Sequence, residues 1–299
     1  MNDFRQDTEA LLDVTETGHH LHNGATRRLA LQAALGVGYA AAAMPLMAQT
    51  AIQTSSQGLV SGEVTIDVKG FKMPAFRSMP QGAGPWPVVL VISEIFGVHE
   101  YIADVTRRLA HLGYLAIAPE LFIRQGDASM YGEVAKLQAE VISKVPDAQV
   151  MTDLDATVAW AGRNGGNTGK LAITGFCWGG RITWLYAAHQ PLVKAGVAWY
   201  GRLVGQSTPV TPHHPVELTA NLHAPVLGLY GGADTGIGQD TIDKMKQALS
   251  TGSAAAKASG FVVYPDTPHA FHADYRPSYR QAPAEDGWKR MQAWLKQYL

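Results

Sequence analysis

The sequence predicts a single three-layer α/β domain in which helices cover both faces of a mostly parallel sheet. From Glu63 onward, the hydrophobic period changes repeatedly between about two and about three and a half residues, which indicates alternating strands and helices. The run at residues 88–92 is continuously apolar, as in strands buried on both faces. Strands joined by helical crossovers run parallel, and 299 residues suffice for one large domain of this kind.

The domain is expected to open with a hairpin. Residues 63–68 and 72–77 are extended segments on either side of a turn at Gly70, and the buried strand at 88–92 follows them. The sheet is therefore expected to begin at Glu63.

Helices and strands alternate after this hairpin. Ile102, Val105 and Leu109 lie at helical spacing, and a strand at residues 114–118 follows. Asp147 is the predicted N-cap of a second helix. Further strands are predicted at residues 171–174, 196–200, 226–230 and 261–264, with a last helix that carries Trp288, Met291 and Leu295 on one face. Ligands of such sheets bind at the carboxyl ends of the strands, so functional residues are expected there.

The composition excludes several classes of protein. Lys and Arg number 24 against 25 Asp and Glu, whereas a nucleic-acid-binding protein normally carries a basic surplus, so no nucleic-acid partner is expected. The single cysteine, Cys177, excludes an internal disulfide framework and a Cys-rich zinc site.

Residues 1–48 have the layout of an export signal. Arg27 and Arg28 stand before a stretch with no charged residue until Glu63, which resembles a twin-arginine signal cleaved near Ala48. This stretch is too weakly apolar for a stable membrane span.

The expected organisation is a signal region at residues 1–48, a flexible linker at 49–62 and a catalytic domain at 63–299. Export would make the twin-arginine translocase a partner and place the protein in the periplasm or outside the cell. A cytoplasmic protein with an ordinary N-terminal helix is the alternative.

The candidate nucleophile is Cys177. The strand at 171–174 runs into Gly175-Phe176-Cys177-Trp178-Gly179-Gly180, and a helical stretch follows. This G-x-C-x-G pattern in a strand-turn-helix context predicts a nucleophile elbow, because such a tight turn leaves room only for small residues on either side of the nucleophile. The beginning of the helix favours a thiolate and, later, an oxyanion. A small buried hydrophobic cysteine is the alternative.

The elbow predicts an acid and then a histidine along the chain. Asp234 follows the strand at 226–230 on a glycine-rich turn, and His269 follows the strand at 261–264. Asp234 could instead be an ordinary turn former, and His272 is a rival for His269. The occurrence of Cys177, Asp234 and His269 in this chain order indicates a catalytic triad far more specifically than any one of these residues alone.

The residues Gly175 to Gly180, Gly231 to Asp234, His269-Ala270-Phe271 and Ser93-Glu94-Ile95-Phe96-Gly97 together resemble the dienelactone hydrolase family of α/β-hydrolases. The resemblance runs from Glu63 to the C-terminus and implies a Cys177-His269-Asp234 triad on an α/β-hydrolase fold. It also implies that Glu94 contacts the resting thiol. The oxyanion hole would consist of the backbone N–H groups of Ile95 and Trp178.

The resemblance also bears on the substrate. Arg124 is implied as a clamp for a substrate carboxylate, through bidentate pairing, and a surface arginine is the alternative. Ala273 stands where the family has a second arginine, and Arg276 is a candidate replacement.

The expected function is hydrolysis of a small, anionic ester or lactone through a thioester acyl-enzyme. A carboxylesterase or thioesterase of broader specificity is the second hypothesis. A ligand-binding protein without catalytic activity is the third. No cofactor is expected, because no nucleotide-binding glycine motif occurs. No metal is expected either, since His213 and His214 lack partners at ligand spacing and are interpreted as solvated loop residues. The oligomeric state is left open.

Overall fold

The structure, a computed structural model, describes residues 51–299. Its centre is an eight-stranded sheet in the order β1-β2-β4-β3-β5-β6-β7-β8. The first two strands are antiparallel neighbours and all pairings from β4 to β8 are parallel, as predicted. The strands are β1 (Leu59–Val68), β2 (Phe71–Pro80), β3 (Trp86–Ile92), β4 (Leu115–Pro119), β5 (Gly166–Phe176), β6 (Val193–Trp199), β7 (Val226–Gly231) and β8 (Gly260–Tyr264).

Helices cover both faces of this sheet. They are α1 (Glu100–His111), α2 (Val134–Glu140), α3 (Asp147–Arg163), α4 (Trp178–His189), α5 (Gln239–Thr251), α6 (Ala254–Ala258) and α7 (Gln281–Tyr298). Along β3, Leu90 packs into the core beneath α3 and α4, whereas Val89 and Val91 pack into the core beneath α1 and α7. The expectation that residues 88–92 form a strand buried on both faces is therefore confirmed. Within residues 51–299, no helix combines the length and apolar character needed to cross a membrane.

Two boundary predictions are wrong. The strand β1 begins at Leu59 rather than at Glu63, because its pairing with β2 extends to Leu59 opposite Pro80. The end of the predicted 49–62 linker is therefore part of the sheet. Asp147 is the first residue of α3 and not its N-cap, since its carboxylate accepts two hydrogen bonds of 2.7 Å from the Arg181 guanidinium.

The residues before β1 also pack against the domain. The backbone N–H of Thr54 donates to Asp104 Oδ1 at 2.6 Å and its hydroxyl donates to Oδ2 at 3.1 Å. The carbonyl of Ser55 lies 2.7 Å from His111 Nε2. This part of the predicted linker is thus held along α1. The predicted signal region, 1–48, lies outside the described residues.

Candidate active site

The carboxyl ends of β3 and β5 bring the first two candidate residues together. Ile92 pairs with Gly175 in the parallel register, and Glu94 and Cys177 each follow that pair by two residues. The ends of β7 and β8 supply the other two, because Gly231 pairs with Tyr264 shortly before Asp234 and His269. The predicted catalytic residues therefore lie along one edge of the sheet.

The elbow at Cys177 has the steric demands that its sequence predicts. Cys177 has φ 53° and ψ −114°, a strained conformation for a residue with a side chain. A Cβ on Gly175 would overlap the Gly179 carbonyl, and a Cβ on Gly179 would overlap the backbone of Ile92 and Ser93. Both glycines are required for close packing, and the half-buried thiol is held just before the first turn of α4.

Asp234 and His269 form a fixed pair. Asp234 Oδ2 lies 2.6 Å from His269 Nδ1, and the carboxylate side chain is fully buried. Its Oδ1 accepts hydrogen bonds from the backbone N–H groups of Gly236 at 2.9 Å and Ile237 at 3.1 Å. An ionised carboxylate is an acceptor only, so Nδ1 carries the proton and Nε2 is free for the thiol.

Cys177 also acts on the His269 imidazole. Burial opposes its protonation, but the negative charges of Asp234 and Cys177, with the hydrogen bonds to both, raise the pKa of His269 well above its usual value. A higher pKa makes the imidazole a stronger base, so His269 is suited to take the proton of a cysteine nucleophile. The structure thus brings Cys177, His269 and Asp234 into one connected set.

His272, the rival of His269, has a structural position. It is buried, its Nδ1 lies 2.7 Å from the Tyr101 hydroxyl, and its ring stacks on Phe176. Burial, helped by the charge of Arg108, lowers the pKa of His272 well below its usual value. His272 thus contacts Tyr101 and Phe176, whereas His269 is the histidine that pairs with Asp234.

Glu94 is buried, with one oxygen bonded and one free. Its Oε2 accepts a hydrogen bond from the Tyr275 hydroxyl at 3.0 Å and lies 3.2 Å from His99 Nε2. Its Oε1 is buried and has no hydrogen-bond partner among the described residues. Burial alone would raise the pKa of Glu94, but His99, Arg276 and Tyr275 together lower it, so the carboxyl stays ionised.

Of the residues around this carboxylate, the sequence identified Arg276 as a candidate but not the aromatic side chains. Burial raises the pKa values of Tyr200 and Tyr275 well above the usual range, and the charges of Glu94 and Cys177 add to the effect. The same two charges act on the buried guanidinium of Arg276, which lies over the Phe96 ring at 5.7 Å. Tyr275 is close to the His269 motif in the chain, whereas no sequence signal pointed to Tyr200.

The two amides implied for the oxyanion hole come from residues that follow neighbouring strands of the sheet. Trp178 is the first residue of α4, where backbone N–H groups lack an acceptor within the helix. Ile95 follows Glu94 at the end of β3, next to β5 in the sheet. The Trp178 ring packs edge-on against Phe122 at 4.7 Å, which fixes one wall beside the elbow.

Arg124 is paired inside the protein. Its guanidinium donates to Asp153 Oδ2 at 2.5 Å and lies over the Phe71 ring at 4.1 Å. The Asp153 side chain is fully buried, so Arg124 neutralises a charge that would otherwise be costly. The clamp role implied for Arg124 stays a prediction.

The other histidines of residues 51–299 were candidates for a metal site. Among the described residues, no three His, Cys, Asp or Glu side chains are grouped so as to hold a metal ion. The expectation that His213 and His214 are both solvated is wrong for His214, which is buried with Nε2 at 3.1 Å from the Gln206 carbonyl.

Comparisons with known proteins agree with this geometry. Residues 73–299 match the dienelactone hydrolase family. The chain is 60% identical to a provisionally named carboxymethylenebutenolidase of Methylorubrum extorquens, over 91% of this chain and 93% of that protein. It is 54% identical to a protein of the same provisional name from Escherichia coli (strain K12), over 87% of this chain and 95% of that protein.

A solved structure supports the same conclusion. The crystal structure of a provisionally named dienelactone hydrolase from Klebsiella pneumoniae is 56% identical, with a TM-score of 0.78, and the match covers 80% of this chain and 99% of that chain. The predicted resemblance and the predicted α/β-hydrolase fold are both confirmed. The chain belongs to the dienelactone hydrolase family and is a hydrolase that acts on esters.

Proposed function

We propose that the protein hydrolyses a small, anionic ester or lactone through Cys177 and a thioester acyl-enzyme. The observation that carries this proposal is the connected set of Cys177, His269 and Asp234, with the 2.6 Å contact between His269 Nδ1 and Asp234 Oδ2 at its centre. A base oriented by a buried carboxylate beside a nucleophile on an elbow is the arrangement that acyl transfer requires.

In the first half-reaction, His269 Nε2 takes the proton of the Cys177 thiol, and Cys177 Sγ attacks the ester carbonyl carbon. The carbonyl electron pair moves to the oxygen, where the N–H groups of Ile95 and Trp178 stabilise the negative charge. The C–O bond to the leaving group then breaks, and His269 Nε2–H gives its proton to the departing alkoxide. The products of this step are the alcohol and a thioester on Cys177.

In the second half-reaction, His269 removes a proton from water, and the hydroxide attacks the thioester carbonyl. The C–S bond breaks, the carboxylic acid leaves and His269 returns its Nε2 proton to the Cys177 sulfur. These two half-reactions need no external oxidant, reductant or cofactor. The buried Asp234 stabilises the imidazolium at each stage without taking its proton.

Arg276 is our preferred partner for a substrate carboxylate, because its charge acts at both Glu94 and Cys177. We expect Arg276→Gln to raise KM for an anionic lactone at least about tenfold and to leave KM for a neutral aryl ester nearly unchanged, since only the former loses a charge-assisted pair. Steady-state kinetics on the two substrates measure this difference.

The matched control removes Arg124 together with its partner, as Arg124→Ala with Asp153→Asn, so that no buried charge is left unpaired. We expect this double variant to change KM for both substrates alike. A rise confined to the anionic lactone in the Arg124 variant would instead assign the clamp to Arg124. If neither variant distinguishes the substrates, the anionic-substrate proposal is wrong.

We also propose that residues 1–48 direct export through the twin-arginine translocase to the periplasm or the exterior and are then removed. The contacts of Thr54 and Ser55 with α1 support a cleavage point before them. N-terminal sequencing of the exported protein is expected to find Gln49 first, and Arg27→Lys with Arg28→Lys is expected to retain the uncleaved chain in the cytoplasm. An intact Met1 start, found only in the cytosol and unaffected by the double substitution, would contradict export.

A further inference from the structure

His99 is a second histidine at this site, and the triad does not use it. It follows Glu94 by five residues and is the N-cap of α1. Its backbone N–H donates to the Gly97 carbonyl at 3.1 Å, and its own carbonyl accepts from the Ala103 N–H at 2.9 Å. The backbone that carries the imidazole is therefore fixed by the turn on one side and by the helix on the other.

Aromatic rings hold the His99 side chain in place. Tyr101 stacks against it with a centroid distance of 5.9 Å, and Tyr275 meets it edge-on at 4.9 Å. Phe96 makes a second edge contact at 6.4 Å. Only 19% of the His99 side chain is exposed, so the ring has little freedom to turn away from Glu94.

The hydrogen bonding fixes which group donates. His99 Nε2 lies 3.2 Å from Glu94 Oε2, and an ionised carboxylate only accepts, so Nε2 carries the proton. The Tyr275 hydroxyl donates to the same oxygen. Both donors converge on Oε2, and the buried Oε1 receives none among the described residues.

A buried carboxylate oxygen without a donor is costly unless a group of the reaction supplies one. Because Ile92 pairs with Gly175, the Cys177 thiol follows the neighbouring strand at the same level as Glu94 and is the candidate donor. Two donors on Oε2 hold the carboxylate so that Oε1 is left for this S–H. The arrangement resembles the other pair, in which backbone N–H groups fix Asp234 so that its Oδ2 meets His269.

We propose that His99 is a positioning residue that acts through Glu94, holding Oε2 so that Oε1 remains directed at the Cys177 thiol. The inference rests on the proposed function, because it needs Cys177 as the nucleophile. No bond is made or broken at His99, and its effect on the reaction passes through the orientation of one carboxylate.

The test compares His99→Phe with His99→Gln. Phenylalanine keeps the ring contacts with Tyr101 and Tyr275 but removes the N–H donor, whereas glutamine restores an N–H donor. We expect His99→Phe to lower kcat about ten- to a hundredfold with little change in KM, as loss of a hydrogen bond to a charged group does. We expect His99→Gln to recover most of the lost kcat, with thermal unfolding confirming that both variants fold.

A double-mutant cycle with Glu94→Gln shows whether the effect passes through Glu94. We expect His99→Phe to lower kcat hardly any further in the Glu94→Gln background. A wild-type kcat in His99→Phe, or an equal loss in both backgrounds, would overturn the inference. Failure of the proposed function would look different, since Cys177→Ala would then hydrolyse the ester as fast as the wild-type protein.

Discussion

Replacement of Cys177 by alanine is expected to lower kcat by about four to six orders of magnitude, as loss of the nucleophile of a triad does. The change removes the sulfur that forms the thioester and leaves the elbow backbone, Gly175 and Gly179 in place. The two oxyanion amides also remain, so a small residual rate over the uncatalysed reaction is expected. Hydrolysis of one ester by both proteins, at equal concentration of folded chain, measures the difference.

Chemical labelling provides the control for this substitution. The chain has one cysteine, so iodoacetamide is expected to inactivate the wild-type protein with one label per chain and to leave the mass of Cys177→Ala unchanged. Retention of more than about a tenth of the wild-type kcat in Cys177→Ala would show that another group attacks the ester.

Replacement of Asp234 by asparagine is expected to lower kcat about 10⁴-fold. The asparagine Oδ1 keeps its hydrogen bonds from Gly236 and Ile237, so the amide N–H₂ faces His269 Nδ1. That donor forces the proton of the neutral imidazole onto Nε2, and the imidazole loses the lone pair that accepts the thiol proton. Steady-state kinetics on the ester used for Cys177→Ala measure this loss.

Asp266→Asn is the matched control for this experiment, because it makes the same chemical change at a second carboxylate. It is exposed on the loop that carries His269, and its φ of 53° is a conformation that asparagine tolerates well. Asp266→Asn is therefore expected to keep kcat within about a factor of two, as surface substitutions usually do. A comparable kcat for Asp234→Asn and Asp266→Asn would contradict a triad role for Asp234.

The sequence predicted the elbow because its constraints are local. The glycines on either side of Cys177 reflect close backbone contacts within one turn, and these contacts are present at Gly175 and Gly179. The order of Asp234 and His269 after successive strands was equally readable, because parallel strands bring their carboxyl ends to one edge. These features depend on chain order and strand direction alone.

The surroundings of Glu94 could not be predicted in this way. Tyr275 is 181 residues from Glu94 along the chain, and only the packing of the loop after β8 brings them together. The pairing of Arg124 with Asp153 depends on how the loop after β4 lies against α3. Such contacts follow from tertiary packing, and a single sequence carries no periodic signal for them.

The sheet begins at Leu59 rather than at the predicted Glu63 for a related reason. Residues 59–62 lack a clear alternation of apolar and polar side chains, yet they form strand because β2 offers a pairing partner as far as Pro80. Backbone pairing at a sheet edge outweighs weak local preference.

The mass of the intact protein during turnover tests the central claim most directly. His269→Ala removes the base that activates water, so at about pH 9, where a cysteine thiol ionises without help, the thioester formed with an activated aryl ester is expected to accumulate. Rapid quenching in acid, followed by mass spectrometry, is then expected to find one acyl group per chain, located by peptide mapping on Cys177. An acyl group on any other residue, or turnover of the ester by the wild-type protein with no acylated species in either protein, would contradict a cysteine-linked acyl-enzyme.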